Sequence, residues 1–452
     1  MSRKLTPLST EAREHLLRRV ESIQHSPAAR LPEREGPTKE GRISFSSLPG
    51  YDDLRLFRSI GQRFGLENPY FRVHDARVGS HTQIAGKTLL NFSSYDYLGL
   101  NEHSEVMQVA KTAIDRHGIS ASASRHVAGE RPVHRELERA LADHYDADDS
   151  LVFVSGYATN LGVIGHIAGP KDLVVHDALC HNSIVMGGTL SGATRRYFAH
   201  NDLDSLDRML TTIRNKFERT LIVVEGHYSM DGDYPDLPRL LELKTRHDAW
   251  LMVDEAHSLG VLGRRGYGIA EHFGVDPRRV DIWMGTLSKT LAGCGGYIAG
   301  SEELVEYLRL TVGVFVFSVG MPPVIAAAAH KALEILHREP ERVGRLQHNA
   351  AYFIALARQR GLDTGTGAGT AVCPIMVGDS LPAVVLSHRL LERGINVLPV
   401  THPAVPAKSS RLRFFLTAMH TREQIETAIE ATAEELAKLG ERASEFDLSQ
   451  HD

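Results

Sequence analysis

The 452-residue chain has only three cysteines, Cys180, Cys294 and Cys373, far apart and without a Cys-x-x-Cys pair. That scarcity argues against a disulfide framework or a cysteine-based zinc site and suits a reducing compartment. No stretch of about 18 apolar residues occurs, so no membrane-inserting helix is expected. The start, Met1-Ser2-Arg3-Lys4-Leu5, leads into polar sequence without the apolar core of a signal peptide. A polybasic run is missing too, and the formal net charge is -5. Nucleic acid and anionic membranes are therefore not expected partners, and the expected location is cytoplasmic.

What is present is a composition of 42% hydrophobic and 24% charged residues, enough for a sizeable core divided into two or more domains. Residues 1–60 read as an N-terminal extension and linker. Ala12, Leu16, Leu17 and Val20 share one face of an expected helix over 10–23, and a Pro/Glu/Arg/Gly-rich stretch covers 26–41. Residues 61–104 form an N-terminal segment, 105–322 a large domain, 323–442 a small C-terminal domain and 443–452 a tail. Val106, Val109, Ala110, Ala113 and Ile114 recur at helical spacing up to Gly118, and Leu137, Leu141 and Tyr145 repeat the pattern. Short apolar runs at 151–154, 173–175, 221–224, 251–253 and 280–284 then alternate with helical stretches. Such alternation predicts an α/β fold with a mostly parallel sheet covered on both faces. After Pro322-Pro323 a long Ala-rich helix leads into an α+β small domain. Strands are expected there near 395–400 and 412–416, followed by a helix capped by Thr421 with Gln424 at the capping-box position. The segment Gly365-Thr366-Gly367-Ala368-Gly369-Thr370 lacks the βαβ setting and downstream Lys-Ser/Thr of a nucleotide loop, and reads as a turn.

Chemistry gathers at two motifs. Lys289, in Gly285-Thr286-Leu287-Ser288-Lys289, lies downstream of Val253-Asp254-Glu255-Ala256-His257. A buried lysine has a lowered pKa and can attack an aldehyde to form a Schiff base, as pyridoxal phosphate (PLP) requires. The PLP ring withdraws electrons while its pyridine nitrogen stays protonated, and a carboxylate in contact stabilises that cation. Asp254, ending the apolar run Trp250-Leu251-Met252-Val253, is the candidate, and His257 is placed to hydrogen-bond the phenolic oxygen. The phosphate needs N–H groups at a helix start. Ser155-Gly156-Tyr157 stands at such a strand-to-helix junction, and Thr286 and Ser288 offer hydroxyls. His181 is a candidate to stack on the ring.

The ordered segments Asn91-Phe92-Ser93-Ser94-Tyr95-Asp96-Tyr97-Leu98-Gly99-Leu100, Ser155-Gly156-Tyr157-Ala158-Thr159-Asn160, Glu225-Gly226-His227-Tyr228-Ser229-Met230-Asp231-Gly232-Asp233, the two lysine and aspartate motifs, and Arg411-Leu412-Arg413 resemble the α-oxoamine synthase family of fold-type I PLP enzymes. The resemblance implies a PLP-dependent transferase fold. It makes Lys289 the Schiff-base lysine, Asp254 the pyridine-nitrogen partner, His257 and Ser229 the phenolic-oxygen contacts and His181 the stacking histidine. Gly156, Tyr157 and Thr286 become phosphate contacts, and Arg413 the grip on the amino-acid carboxylate. Ser318 falls where family members reach the phosphate of a neighbouring subunit, so a homodimer with shared active sites is implied. The implied reaction condenses a small amino acid with an acyl thioester, carried by CoA or an acyl carrier protein, with loss of CO2.

Substrate choice rests on fewer residues. Ser124 stands where glycine-specific members carry threonine, which favours alanine or serine over glycine by a margin of about 1–3 kcal/mol. Tyr95 replaces a common asparagine, as in serine palmitoyltransferases and polyketide-linked synthases. Gly129-Glu130-Arg131-Pro132-Val133-His134 and Glu67-Asn68-Pro69-Tyr70-Phe71 resemble the polyketide-linked group. The expected role is thus in polyketide or sphingolipid-like biosynthesis. An acyl-CoA enzyme like 8-amino-7-oxononanoate synthase or glycine C-acetyltransferase is the alternative, and a non-catalytic partner subunit the reading of another class. Ala404 and Gly320 depart from the family's threonine and serine, which puts the acyl pocket in question rather than the cofactor chemistry.

Overall fold

A computed structural model describes residues 44–441; the expected helix over 10–23, the stretch over 26–41 and the tail over 443–452 lie outside the described residues. The helix Tyr51–Phe64 belongs to one unit, and Pro69–Glu435 forms another.

The larger unit begins with a hairpin of β1 (His81–Ile84) and β2 (Lys87–Asn91). Its main sheet is built from β3 (Asp149–Phe153), β4 (Leu173–Asp177), β5 (Thr194–Phe198), β6 (Thr220–Glu225), β7 (Trp250–Asp254), β8 (Ile282–Thr286) and β9 (Gly296–Gly300). The strands lie in the order β3-β9-β8-β7-β6-β4-β5. From β5 to β8 the pairing is parallel, whereas β9 runs antiparallel to both β8 and β3. β3 therefore points the same way as β8. Parallel strands must be covered on both faces, and β4 and β6 are buried at every position. On one face Leu151, Val174, Val223, Met252, Ile282 and Ile298 meet Val163, Ile164 and Ile167 of the helix Gly156–Ile167. Each fully buried aliphatic side chain of this kind contributes about 1.5–3 kcal/mol.

The five apolar runs seen in the sequence correspond to β3, β4, β6, β7 and β8. β5 and β9 have no such run, for different physical reasons. β5 is an edge strand in which Arg196 and Tyr197, on opposite faces, are both exposed, charge being one way edges resist further pairing. β9 reads Gly-Tyr-Ile-Ala-Gly, because a Cβ at Gly296 would lie 2.7 Å from Gly156 Cα. Strand and helix start approach too closely there for a side chain.

Further along come β10 (Val372–Gly378), β11 (Ile395–Asn396), β12 (Leu398–Val400) and β13 (Ser410–Phe415). The strand expected over 395–400 is in fact two. β12 joins the antiparallel sheet β10-β13-β12, while β11 pairs in parallel with β2, where Asn396 Nδ2 donates to Asn91 Oδ1 at 2.8 Å. The Ala-rich helix spans Pro323–Arg338. The last helix, Arg422–Glu441, opens on a reciprocal cap: Thr421 N donates to Gln424 Oε1 (2.9 Å) and Gln424 N to Thr421 Oγ1 (3.3 Å).

A close backbone contact holds the loop after β6 against β10. Gly232 has φ 72°, and a Cβ there would lie 2.0 Å from the Val372 carbonyl oxygen. Its own carbonyl accepts from Thr370 Oγ1 (2.9 Å) and Ala368 N (3.2 Å), so the 365–370 turn packs against it. Gly274 also has positive φ, yet nothing lies within 4 Å of its Cβ position. Gly274→Ala should therefore cost only backbone strain, about 1 kcal/mol, and Gly232→Ala at least about 3 kcal/mol. Denaturant midpoints of the two variants check this order.

Candidate active site

Because β3, β4, β6, β7 and β8 share one direction, the segments that follow them, 154–157, 178–181, 226–229, 255–257 and 287–289, all leave the sheet at one edge. Open α/β sheets bind ligands at such carboxyl ends. The middle strand, β7, ends on the buried Asp254. Its Oδ2 accepts from Asn160 Nδ2 (2.7 Å) and its Oδ1 from Ala256 N (2.9 Å), the surroundings of an anionic carboxylate. Asn160 in turn lies 3.0 Å from Ser183 Oγ.

The Lys289 amine is buried beside this charge. Burial pushes its pKa down to about 8, against the pull of Asp254 and Glu225 and with the help of Arg413. An amine that sheds its proton near neutrality can serve as nucleophile and as base. Its Nζ sits 5.7 Å from the centre of the half-exposed Tyr95 ring. Burial, then the nearby Lys289, holds His257 well below the usual histidine range. Its imidazole is neutral, and Nδ1 lies 2.7 Å from the Tyr97 hydroxyl, which orients the ring. His181 is likewise lowered by burial, with Asp254 opposing and Lys289 and Arg413 adding. Its Nδ1 lies 2.7 Å from Ser183 Oγ and 3.3 Å from Ser183 N, which orients the ring.

At the end of β3, Ser155 caps the helix Gly156–Ile167 by accepting from Ala158 N at 3.3 Å. The first-turn N–H groups of Gly156 and Tyr157 have no acceptor within the helix. A Cβ on Gly156 would lie 2.9 Å from Thr286 Oγ1, and Thr286 Oγ1 is 3.1 Å from Ser288 Oγ. Free N–H groups, a helix dipole and two hydroxyls make a cradle for a phosphate dianion. From β13, Arg413 Nη1 donates to Ser229 O at 2.9 Å and its guanidinium lies 4.7 Å from the Phe415 ring centre. Its Nε is buried without a partner, leaving a donor for a carboxylate. The residues present thus fit PLP together with an amino acid.

Two expected site residues belong to another group of contacts. Ser124 precedes the π-helical turn Arg125–Gly129, its carbonyl accepting from Gly129 N at 2.9 Å, and Ser318 N donates to Phe315 O at 3.3 Å. Their segments are joined by Gly320 N donating to Ala123 O at 2.9 Å. Among the described residues, the hydrogen bonds of Ser124 and Ser318 do not reach Lys289, Asp254 or Arg413.

Residues 87–431 match the family model "Aminotransferase class I and II". The chain is 40% identical over 357 residues to the 8-amino-7-oxononanoate synthase of Symbiobacterium thermophilum, covering 79% of this chain and 91% of that protein. It is 37% identical to 8-amino-7-oxononanoate synthase 1 of Bacillus subtilis, covering 89% and 100%. Among solved structures, serine palmitoyltransferase from S. paucimobilis with a bound PLP–myriocin aldimine superimposes with TM-score 0.84 at 30% identity, covering 88% of this chain and 100% of that one. The chain belongs to the α-oxoamine synthase family. This synthase is a PLP-dependent acyltransferase.

Three neighbours of the synthase's site had no assigned role in the sequence reading: Asn160, Tyr97 and Glu225. Asn160 had a signal, since it sits four residues after Gly156 and so on the same helix face. Tyr97 and Glu225 had none beyond membership of a motif, because their partners come from distant segments. The 129–134 segment, taken as a mark of polyketide-linked members, also has an internal use. Arg125 bonds both Glu130 (2.7 Å) and the buried Glu138, and His134 Nε2 lies 2.7 Å from Met321 O. No described helix is long and apolar enough to cross a membrane.

Lys289 makes a stability prediction. Its folded pKa of about 8 lies below the ordinary 10.5, so the cost of burying an ammonium is full below about pH 8 and fades towards 10.5. Lys289→Met apoprotein should melt above the wild type at pH 7, and the gap should close as pH approaches 10.5.

Proposed function

We propose that the synthase condenses L-alanine with an acyl-CoA whose chain is of the 8-amino-7-oxononanoate synthase type, releasing CO2 and CoA. The name of that product supports the choice of amino acid. Decarboxylative condensation leaves the amino acid's side chain and amine on the carbon beside a new ketone. A terminal methyl next to the amine-bearing carbon is alanine's, and the remaining skeleton is an acyl chain ending in a carboxylate. Curated relatives of 37–40% identity carry this name, and the Ser124 reading of the sequence also favours alanine or serine. The serine palmitoyltransferase structures support a second reading, in which serine and a long acyl thioester, delivered by CoA or a carrier protein, are used.

The observation that carries the reading is the meeting of Lys289, Asp254 and Arg413 at one strand edge. When bound, PLP withdraws electrons from the amino acid's Cα, which makes loss of the proton or carboxylate feasible. Lys289 holds the aldehyde and then, as a free amine, takes the Cα proton. Asp254 supplies the negative charge that keeps the pyridine nitrogen protonated, and His257 and Ser229 hold the phenolic oxygen. His181 covers the ring, keeping its face from water. The N–H groups of Gly156 and Tyr157, with Thr286 and Ser288, hold the phosphate. Arg413, whose Nε is unpartnered, would grip the amino acid's carboxylate and so orient it, positioning that contributes orders of magnitude in rate. Tyr95, beside Lys289, borders the substrate side chain. Ser318 serves the phosphate of a second copy in a homodimer; the strongly exposed Phe317 and Val127 near these segments are apolar surface for that copy to cover. A cytoplasmic location accords with this substrate set.

The test follows thiol release from acyl-CoA with alanine, serine or glycine. Alanine should give the highest kcat/KM, and Arg413→Lys should lower it by about 10- to 100-fold through loss of planar carboxylate recognition. Serine-specific turnover would select the second reading. No thiol release with any amino acid, from protein that binds PLP, would favour a non-catalytic partner subunit.

A further inference from the structure

Glu225 ends β6 directly opposite Asp254 at the end of β7, the two being register partners on adjacent parallel strands. Their side chains leave the sheet on the same side. Both are buried, Glu225 to 3% exposure. Two carboxylates side by side in a dry site cannot both ionise cheaply. Their hydrogen bonds differ in a way that decides which keeps the charge. Asp254 accepts short bonds from Asn160 and Ala256 on its two oxygens. Glu225 Oε2 accepts a long bond from Ser229 N at 3.3 Å, the His181 N–H points at the carboxyl as a further weak donor, and Oε1 makes no short hydrogen bond. The titratable and charged groups around Glu225 are Asp254, Lys289, Cys180 and Tyr228. The His181 backbone faces it as well.

We propose that Glu225 is a positioning residue that works as a neutral carboxylic acid, bracing the Ser229 turn and the His181 segment while leaving Asp254 the single carboxylate charge facing Lys289 and the cofactor. This rests on the reading of Asp254 as the pyridine-nitrogen partner. A second anion at Glu225 would hold the Lys289 proton more tightly and so remove the free amine that the reaction needs. Burial first, then Asp254, pushes Glu225 up to about 8 from an ordinary 4.5, in keeping with the geometry. The stability that goes with its protonated form is complete below about pH 4.5 and is lost as pH rises through about 8.

The test uses full-length apoprotein labelled with 13C-glutamate. At pH 7 the infrared spectrum should contain a carboxylic-acid carbonyl band that is missing from Glu225→Gln and kept in Glu255→Gln; the control is needed because Glu255 is also buried with a raised pKa. The melting temperature of Glu225→Gln should fall less than that of the wild type between pH 4.5 and 8. Should Glu225→Gln not fold, a pH difference spectrum of Glu255→Gln, in which the acid band converts to carboxylate near pH 8, serves the same end. A spectrum in which Glu225 contributes only carboxylate intensity at pH 7 would overturn the proposal. Failure of the wild type to bind PLP would instead overturn the functional reading and leave the infrared result standing.

Discussion

A buried negative charge at the end of the middle strand is the constraint around which the site is arranged. Removing the Asp254 carboxylate from water is costly unless donors replace the lost hydration. The fold supplies two, one from a helix and one from the chain just beyond the strand. With that charge fixed, the states of its neighbours follow from burial and proximity. Lys289 can lose its proton near neutrality, and His257 and His181 stay neutral because burial and the adjacent cations disfavour further positive charge.

Close backbone approach is the second requirement. The helix that offers its N–H groups to a phosphate starts against β9 and β8, and the absence of side chains at Gly156 and Gly296 permits this. The small antiparallel sheet brings Arg413 over the same edge, and the Gly232 contact with Val372 sets how near that sheet comes. The proposed cofactor groups thus come from the large parallel sheet and the proposed carboxylate grip, Arg413, from the small one.

Family chemistry and substrate choice rest on different residues. Lysine, aspartate, histidines and phosphate cradle serve any member, which is why synthases of different substrates share this architecture. Alanine, serine and glycine differ only by a methyl or hydroxyl group, and Ser124 and Tyr95 are the residues proposed to tell them apart. Arg125, Glu130 and His134 show how a motif that looks like a substrate signature can also serve to hold a loop.

Motif order in the sequence alone was enough to identify the cofactor and the family, because each motif is a local strand-to-turn unit whose chemistry travels with its residues. The continuous apolar runs of β3, β4, β6, β7 and β8 were legible for a related reason, since a strand buried on both faces must be apolar throughout. β5 and β9 were not, one because it is a charged edge and the other because it is made of glycines that serve a neighbour. Long-range adjacency, between strands and between the segments around them, is what only the tertiary structure decided. It set Glu225 beside Asp254, gave Asp254 its Asn160 donor, put Tyr97 against His257 and divided 395–400 between two sheets. Each of these pairings joins segments far apart in the chain, and local sequence carries no record of which strands become neighbours.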